Sequence, residues 1–288
     1  MRGTFRERSD HPHVALRGER LDSGARYPAP LRPLPAAAAA PADAAAAVLG
    51  QQLPEHGVGH LELDRVMSNE EFRVFGEALG TPQPETSPDV RAMVEDQVIL
   101  NLRTDGPATS DPARQPFAAN SLTLHSESSG APAPAQPRYI VLMCVSPGDD
   151  DGAAQTVVVP MAGVHAALPH TAREVLHRTR YDRDGEAPPV LREAGGRPVF
   201  SFRDFGATPL AWAADGVDGG PAAVDRALVE LHTAMYGHRA FGFHWRPGRL
   251  VVIDNTRHFH GRTRGRAPVA GQARHLKRLR IRAAEGAR

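Results

Sequence analysis

Short apolar runs bounded by turn residues, most of them with no helix between, constrain this chain more than any other feature. Gly57–Leu63, Gln97–Leu102, Tyr139–Val145, Gln155–Pro160 and Pro198–Arg203 are rich in β-branched or aromatic residues. So are Phe241–Trp245, Arg249–Ile253 and Leu276–Arg282, and all eight read as strands. Helical patterns are fewer. Pro41 opens a short one over Asp43–Leu53. Ser68 followed by Glu71 makes a capping box ahead of Phe72, Phe75 and Leu79. Met161–Arg180 is helical with a break at Pro169, and Val224–Tyr236 puts Leu228, Leu231 and Met235 on one stripe. Strands and helices do not alternate as β-α-β units. The pattern therefore argues for a mainly β, double-sheet jelly-roll core with peripheral helices.

The rest of the chain bounds the function. A net charge of +1 gives no reason to expect nucleic acid or an anionic membrane as partner. No apolar run approaches 18 residues, and Cys144 is the only cysteine, buried in an apolar strand. A cytoplasmic enzyme acting on a small molecule fits these features. Residues 1–25 are polar and aperiodic and are expected to be a flexible leader, with residues 26–288 as one domain. Proline-rich 103–120 and glycine-rich 204–221 are expected as lid loops. Asp149-Asp150-Asp151-Gly152 reads as a turn.

Chemistry concentrates in Leu122-Thr123-Leu124-His125-Ser126-Glu127. His125 and Glu127 share one face of an extended segment, and Leu122 and Leu124 fall on the other. An imidazole and a carboxylate on a cavity-facing strand are two legs of a 2-His-1-carboxylate metal site. A third ligand is offered by Asp254-Asn255-Thr256-Arg257-His258-Phe259-His260-Gly261-Arg262-Thr263. His258 and His260 have the same parity, so strand geometry alone does not choose between them.

The two stretches together resemble the Fe(II)/2-oxoglutarate-dependent dioxygenases of the taurine dioxygenase (TauD/TfdA) superfamily, and within them the clavaminate synthase-like branch. That resemblance runs from about Tyr27 to Arg282. It implies a double-stranded β-helix (jelly-roll, cupin-like) core and assigns iron to His125, Glu127 and His260, since the family's distal histidine precedes Gly/Ala-Arg-Ser/Thr. It also implies that Arg274, fourteen residues beyond His260, pairs with the distal carboxylate of 2-oxoglutarate, supported by Thr156. A guanidinium forks onto a carboxylate bidentately, which suits that task. Arg278, and with it Arg203, would hold an acidic group of the substrate. The activity implied uses O2 and 2-oxoglutarate to hydroxylate an unactivated C–H of a small amino acid or related carboxylate in a natural-product pathway, releasing succinate and CO2. Members of that branch oxidise amino acids either free or bound to a carrier protein, and the resemblance implies one of these two forms of substrate.

Glu127 retains the carboxylate that halogenating relatives replace with a small residue, which disfavours halogenation. The same cofactor set also supports desaturation, epoxidation or cyclisation. A different class, a non-catalytic jelly-roll protein binding a metal or oxoacid, would leave Arg274 without an evident purpose unless 2-oxoglutarate is its ligand. A hydrolase using Ser126 or Ser128 lacks a Gly-x-Ser-x-Gly elbow.

Overall fold

The computed structural model describes residues 1–104, 107–109, 114–148, 154–183, 186–266 and 273–283. The turn expected at Asp149–Gly152 lies outside these residues, as do parts of the 103–120 loop.

Two sheets face each other. The larger has eight strands, running in space Leu34–Ala36, Val58–Leu63, Arg249–Asp254, Tyr139–Ser146, His275–Arg282, Ile99–Arg103 and Val94–Glu95, with Thr81–Pro82 also on His275–Arg282. All pairings are antiparallel except that of Leu34–Ala36. The smaller sheet runs Phe241–Phe243, Thr156–Pro160, His258–Arg262, Leu122–His125, antiparallel throughout.

Period-two alternation distributes the core. On one face of the large sheet Val141, Met143, Leu250, Val252, Leu279 and Ile281 pack on Phe72 and Phe75 of the helix Asn69–Leu79. That helix starts at the expected capping box between Ser68 and Glu71. On the other face Ile140, Leu142, Cys144, Val251, Ile253 and Leu276 meet Val158 and Phe243 of the small sheet. Val157, Val159, Phe259 and Leu124 point away from that inter-sheet layer, toward Met161–Ala167, His170–Arg178 and Gly220–Gly237. Each sheet thus has one face toward its partner and one toward helices, and the even-numbered residues of His258–Arg262 look into the space between sheets.

The expectation for residues 1–25 is corrected. Arg2–Phe5 is a strand on Leu210–Ala214, and Pro12–Asp22 is a helix that buries His13 and Leu21. Leu210–Ala214 also pairs with Thr179–Tyr181, so 204–221 is not a loop throughout. The physical reason is a buried polar network that resembles a solvated charge run when read as sequence. Arg17 donates to Glu7 at 2.6 Å and to Asp204 at 3.0 Å, Tyr236 donates to Asp204 at 2.6 Å, and His13 lies 3.1 Å from Glu7. Burial opposes ionisation of Asp204, yet His232, Arg17 and Tyr236 outweigh it and hold the carboxyl well below its usual range.

His13 gives this network a pH signature. Burial, with the stacked His232 at 4.5 Å, pushes its imidazole down to about 4 despite Glu7 and Asp204 nearby. Between that value and about 6.5 the unfolded chain binds the proton and the folded chain does not, so stability falls as pH drops through this window. The loss attributable to His13 is at most about 3 kcal/mol. His13→Gln is expected to flatten the fall in melting temperature between pH 6.5 and 4; an unchanged slope would contradict the assignment.

Candidate metal centre

Local structure turns His125, Glu127 and His260 toward one point. His125 and His260 are direct cross-strand partners, with ring centroids 4.3 Å apart. The Nδ1 of His125 lies 2.7 Å from the Thr123 carbonyl, which can only accept, so Nδ1 carries the proton and Nε2 keeps its lone pair. The Nε2 atoms of His125 and His260 each lie 3.8 Å from Glu127 Oε2, and the three donor atoms fall within 4.8 Å of one another. His258 takes no part. It is buried in a separate cavity lined by Pro54, His56, Pro160 and Arg257, two residues earlier in the strand.

Charge suits a divalent ion. Burial and the neighbouring His260 push His125 down to about 3, so its imidazole is neutral. Burial opposes ionisation of Glu127, but Arg278 and the neighbouring His260 prevail and hold it well below the usual carboxylate range. Two nitrogens and one ionised carboxylate beside an open cavity fit an iron site that keeps coordination positions free.

Several supporting residues carried no role in the sequence. Glu127 lies beyond the strand end, and Ser128 follows it with φ +56°. Asn255 clamps this bend: its Oδ1 accepts from the Glu127 N–H at 2.7 Å, and its Nδ2 donates to the carbonyls of Glu127 (3.2 Å) and Pro137 (2.9 Å). Asp254 accepts from Arg138 at 2.7 Å and from the Thr256 N–H at 2.9 Å, which shapes the turn between the two sheets. Asn255 therefore holds the Glu127 backbone in place, while Asp254 shapes the turn that presents Asn255.

Gly261 permits the closeness of the two ligand strands. A Cβ there would stand 2.6 Å from the Leu122 carbonyl, at the point where the register between His260 and Arg262 shifts by a bulge. Gly261→Ala is expected to destabilise the apoprotein by about 1–3 kcal/mol and to weaken Fe(II) binding, read by melting temperature and metal titration. Unchanged values for both would contradict this role.

A cavity of about 450 Å³ opens from the triad, walled by Leu102, Ile140, Leu142 and Leu276. Arg274 and Thr156 line it and are both buried. Burial pushes the Arg274 guanidinium down to about 10, still charged at neutral pH, and its Nε has no partner among the described residues. Arg262 is spent on structure, donating to the carbonyls of Gln115, Pro116, Ala118 and Asn120. Arg278 faces the cavity, yet it pairs with Glu85 at 2.9 Å and with Glu127 at 3.3 Å. Arg280 shares Glu85 at 3.2 Å. Arg203 pairs with His125 through an isolated backbone β-bridge and lines the same cavity. Ser126, offered for a hydrolase, is tied through Oγ to the Phe202 backbone. Cys144 is an inert core thiol, pushed up to about 12 by burial.

Comparison with known proteins agrees with this geometry. No curated protein sequence matches the chain significantly. Solved structures do. An asparagine oxygenase in complex with Fe(II), 2S,3S-3-hydroxyasparagine and succinate is similar with a TM-score of 0.60 at 19% identity, covering 85% of this chain and 79% of that one. PvcB from Pseudomonas aeruginosa reaches 0.59 at 22% identity, over 81% and 78%. The non-heme iron oxygenase OrfP with Fe and alpha-ketoglutaric acid reaches 0.59 at 16%, over 87% and 94%. At these identities the likeness establishes the shared fold, which is the double-sheet jelly-roll expected. The profile of the taurine catabolism dioxygenase TauD, TfdA family matches residues 28–280. The chain belongs to the TauD/TfdA family and is an Fe(II)/2-oxoglutarate-dependent dioxygenase.

Proposed function

We propose that His125, Glu127 and His260 hold Fe(II), that Arg274 with Thr156 anchors 2-oxoglutarate, and that the enzyme hydroxylates an unactivated C–H bond of a small amino acid. The observation that carries this reading is the convergence of the three donors on a cavity that also holds Arg274, a buried cation without an acidic partner among the described residues. Such a charge is costly unless a carboxylate joins it. The substrate class is supported by the similar structures, of which one contains 3-hydroxyasparagine with succinate and another (3S)-hydroxy-L-Arg with succinate.

Bound iron would supply activation of O2. The chain's own residues then do four things. Arg274 binds and orients the oxoacid. The Nδ1–H of His125 on Thr123 keeps its ring aimed at the metal. Leu102, Ile140, Leu142 and Leu276 exclude water from the reacting bond. Arg278 and Arg203 receive an acidic group of the substrate. The balance is 2-oxoglutarate, O2 and R–H giving succinate, CO2 and R–OH.

Turnover with candidate amino acids tests this reading. Succinate is expected to form only with both Fe(II) and 2-oxoglutarate, in step with a product one oxygen atom heavier. A product lacking two hydrogens would instead indicate desaturation, and binding without succinate would leave a non-catalytic oxoacid-binding protein. Comparing free with carrier-loaded amino acids separates the two forms of substrate. No helix among the described residues is long and apolar enough to cross a membrane. The single buried thiol supports a cytoplasmic setting.

A further inference from the structure

Among the described residues the cavity is lined by five arginines (Arg183, Arg203, Arg262, Arg274 and Arg278) against one carboxylate, Glu127. Their commitments differ. Arg262 spends its donors on backbone carbonyls, and Arg278 is matched by Glu85 and Glu127. On the reading above, Arg274 meets 2-oxoglutarate, whose two negative charges also offset those of a divalent iron. Arg183 and Arg203 are left over. Neither makes an ion pair with an acidic side chain among the described residues. The Nε of Arg203 is buried without a partner, and its guanidinium lies 5.8 Å from the centroid of Phe205, another cavity residue. Arg183 lies over the turn that follows Glu127, so close that a Cβ on Gly130 would fall 1.9 Å from its Nη1. A methyl at 130 would make the far end of that side chain shift from this position.

We propose that the substrate is an acidic amino acid or close dicarboxylate analogue, its second carboxylate held between Arg183 and Arg203. The inference rests on the oxygenase reading and adds the charge of the substrate to it. A neutral amide side chain leaves both cations unmatched, and a cationic side chain is repelled by them; the same pair that attracts one class rejects the other. Two guanidinia from different segments suit a planar carboxylate, which accepts bidentately from each. The acid's α-carboxylate then falls to Arg278, another residue of the same cavity, whose neighbour Glu127 would serve the metal.

The test uses the full chain loaded anaerobically with Fe(II) and 2-oxoglutarate. Aspartate, glutamate and their N-acetyl and deamino analogues are compared with asparagine, glutamine and arginine. Binding is read by perturbation of the visible chelate band, and turnover by succinate. Acidic compounds are expected to bind at least about 30-fold more tightly than their amides. Arg183→Gln and Gly130→Ala are each expected to reduce that preference about tenfold, and Arg203→Gln by as much or more. Arg183 is the safer variant, because it lies at the exposed rim of the cavity. An amide or cationic amino acid binding as well as the acids, or no acid in the panel perturbing the band, would overturn the proposal while the oxygenase reading stands. Absence of the chelate band itself would instead remove that reading, and this inference with it.

Discussion

His260→Ala is expected to lower Fe(II) affinity at least about 100-fold, while His258→Ala leaves it within a few-fold of the parent. Loss of an outer-shell partner already costs metal sites 10–100-fold, and His260 is one of the three donor groups, with His125 and Glu127, that converge among the described residues. The two histidines share strand, parity and burial, so the pair of variants isolates position. His258 lies two residues along, in another cavity. The apoprotein should tolerate the His260 change, because Nδ1 of that ring has no hydrogen-bond partner among the described residues. Isothermal titration with Fe(II) under nitrogen, with melting temperatures of the metal-free forms, measures both effects. Iron lost with His258 and kept without His260 would refute the ligand assignment.

Arg274→Leu is expected to weaken 2-oxoglutarate binding by roughly 100-fold or more and, in the same protein, to raise the stability of the apo form. Truncating one partner of a buried charged pair costs 2–5 kcal/mol in binding, or about 30- to several-thousand-fold. The second effect follows from the same burial. Arg274 is enclosed, pushed down to about 10 and unmatched at Nε, so the folded apoprotein carries an uncompensated desolvation penalty. An apolar side chain of similar size removes it, for a gain of about 1–3 kcal/mol. Arg274→Lys keeps the charge but not the fork, and should fall between. Denaturant unfolding and 2-oxoglutarate titration of the three proteins check the opposed signs. Affinity and stability falling together would mean that Arg274 is a packing residue.

What could be read from sequence was local or periodic. The capping box at Ser68 and Glu71, the break at Pro169, and the apolar run Tyr139–Val145 depend on neighbours a few residues away, and each appears as expected, the last as the buried strand Tyr139–Ser146. His125 and His260 could be matched because each sits in a short pattern whose spacing carries the chemistry. What escaped depends on partners far along the chain. Glu85 lies in a segment that reads as loop, yet it meets Arg278 and Arg280 nearly two hundred residues later. Glu7 and Arg17 look like a solvated charge run because only the fold brings Asp204 onto Arg17 beside Glu7. Leu210–Ala214 has weak alternation and gains its strand from Arg2–Phe5. Asn255 was visible within the Asp-Asn pair, but its clamp on Glu127 needs the turn to bring residues 127 and 255 together. Charge pairing and close approach are non-local quantities, and polar residues declare neither in advance.

The most direct measurement is an anaerobic titration of the apoprotein with Fe(II) and then 2-oxoglutarate, following the weak visible charge-transfer band of the chelate. The band should appear only when both are present, vanish in His260→Ala and require far more 2-oxoglutarate in Arg274→Leu. A folded, iron-loaded protein that shows no band at saturating 2-oxoglutarate would contradict the assignment of this cavity as the cofactor site.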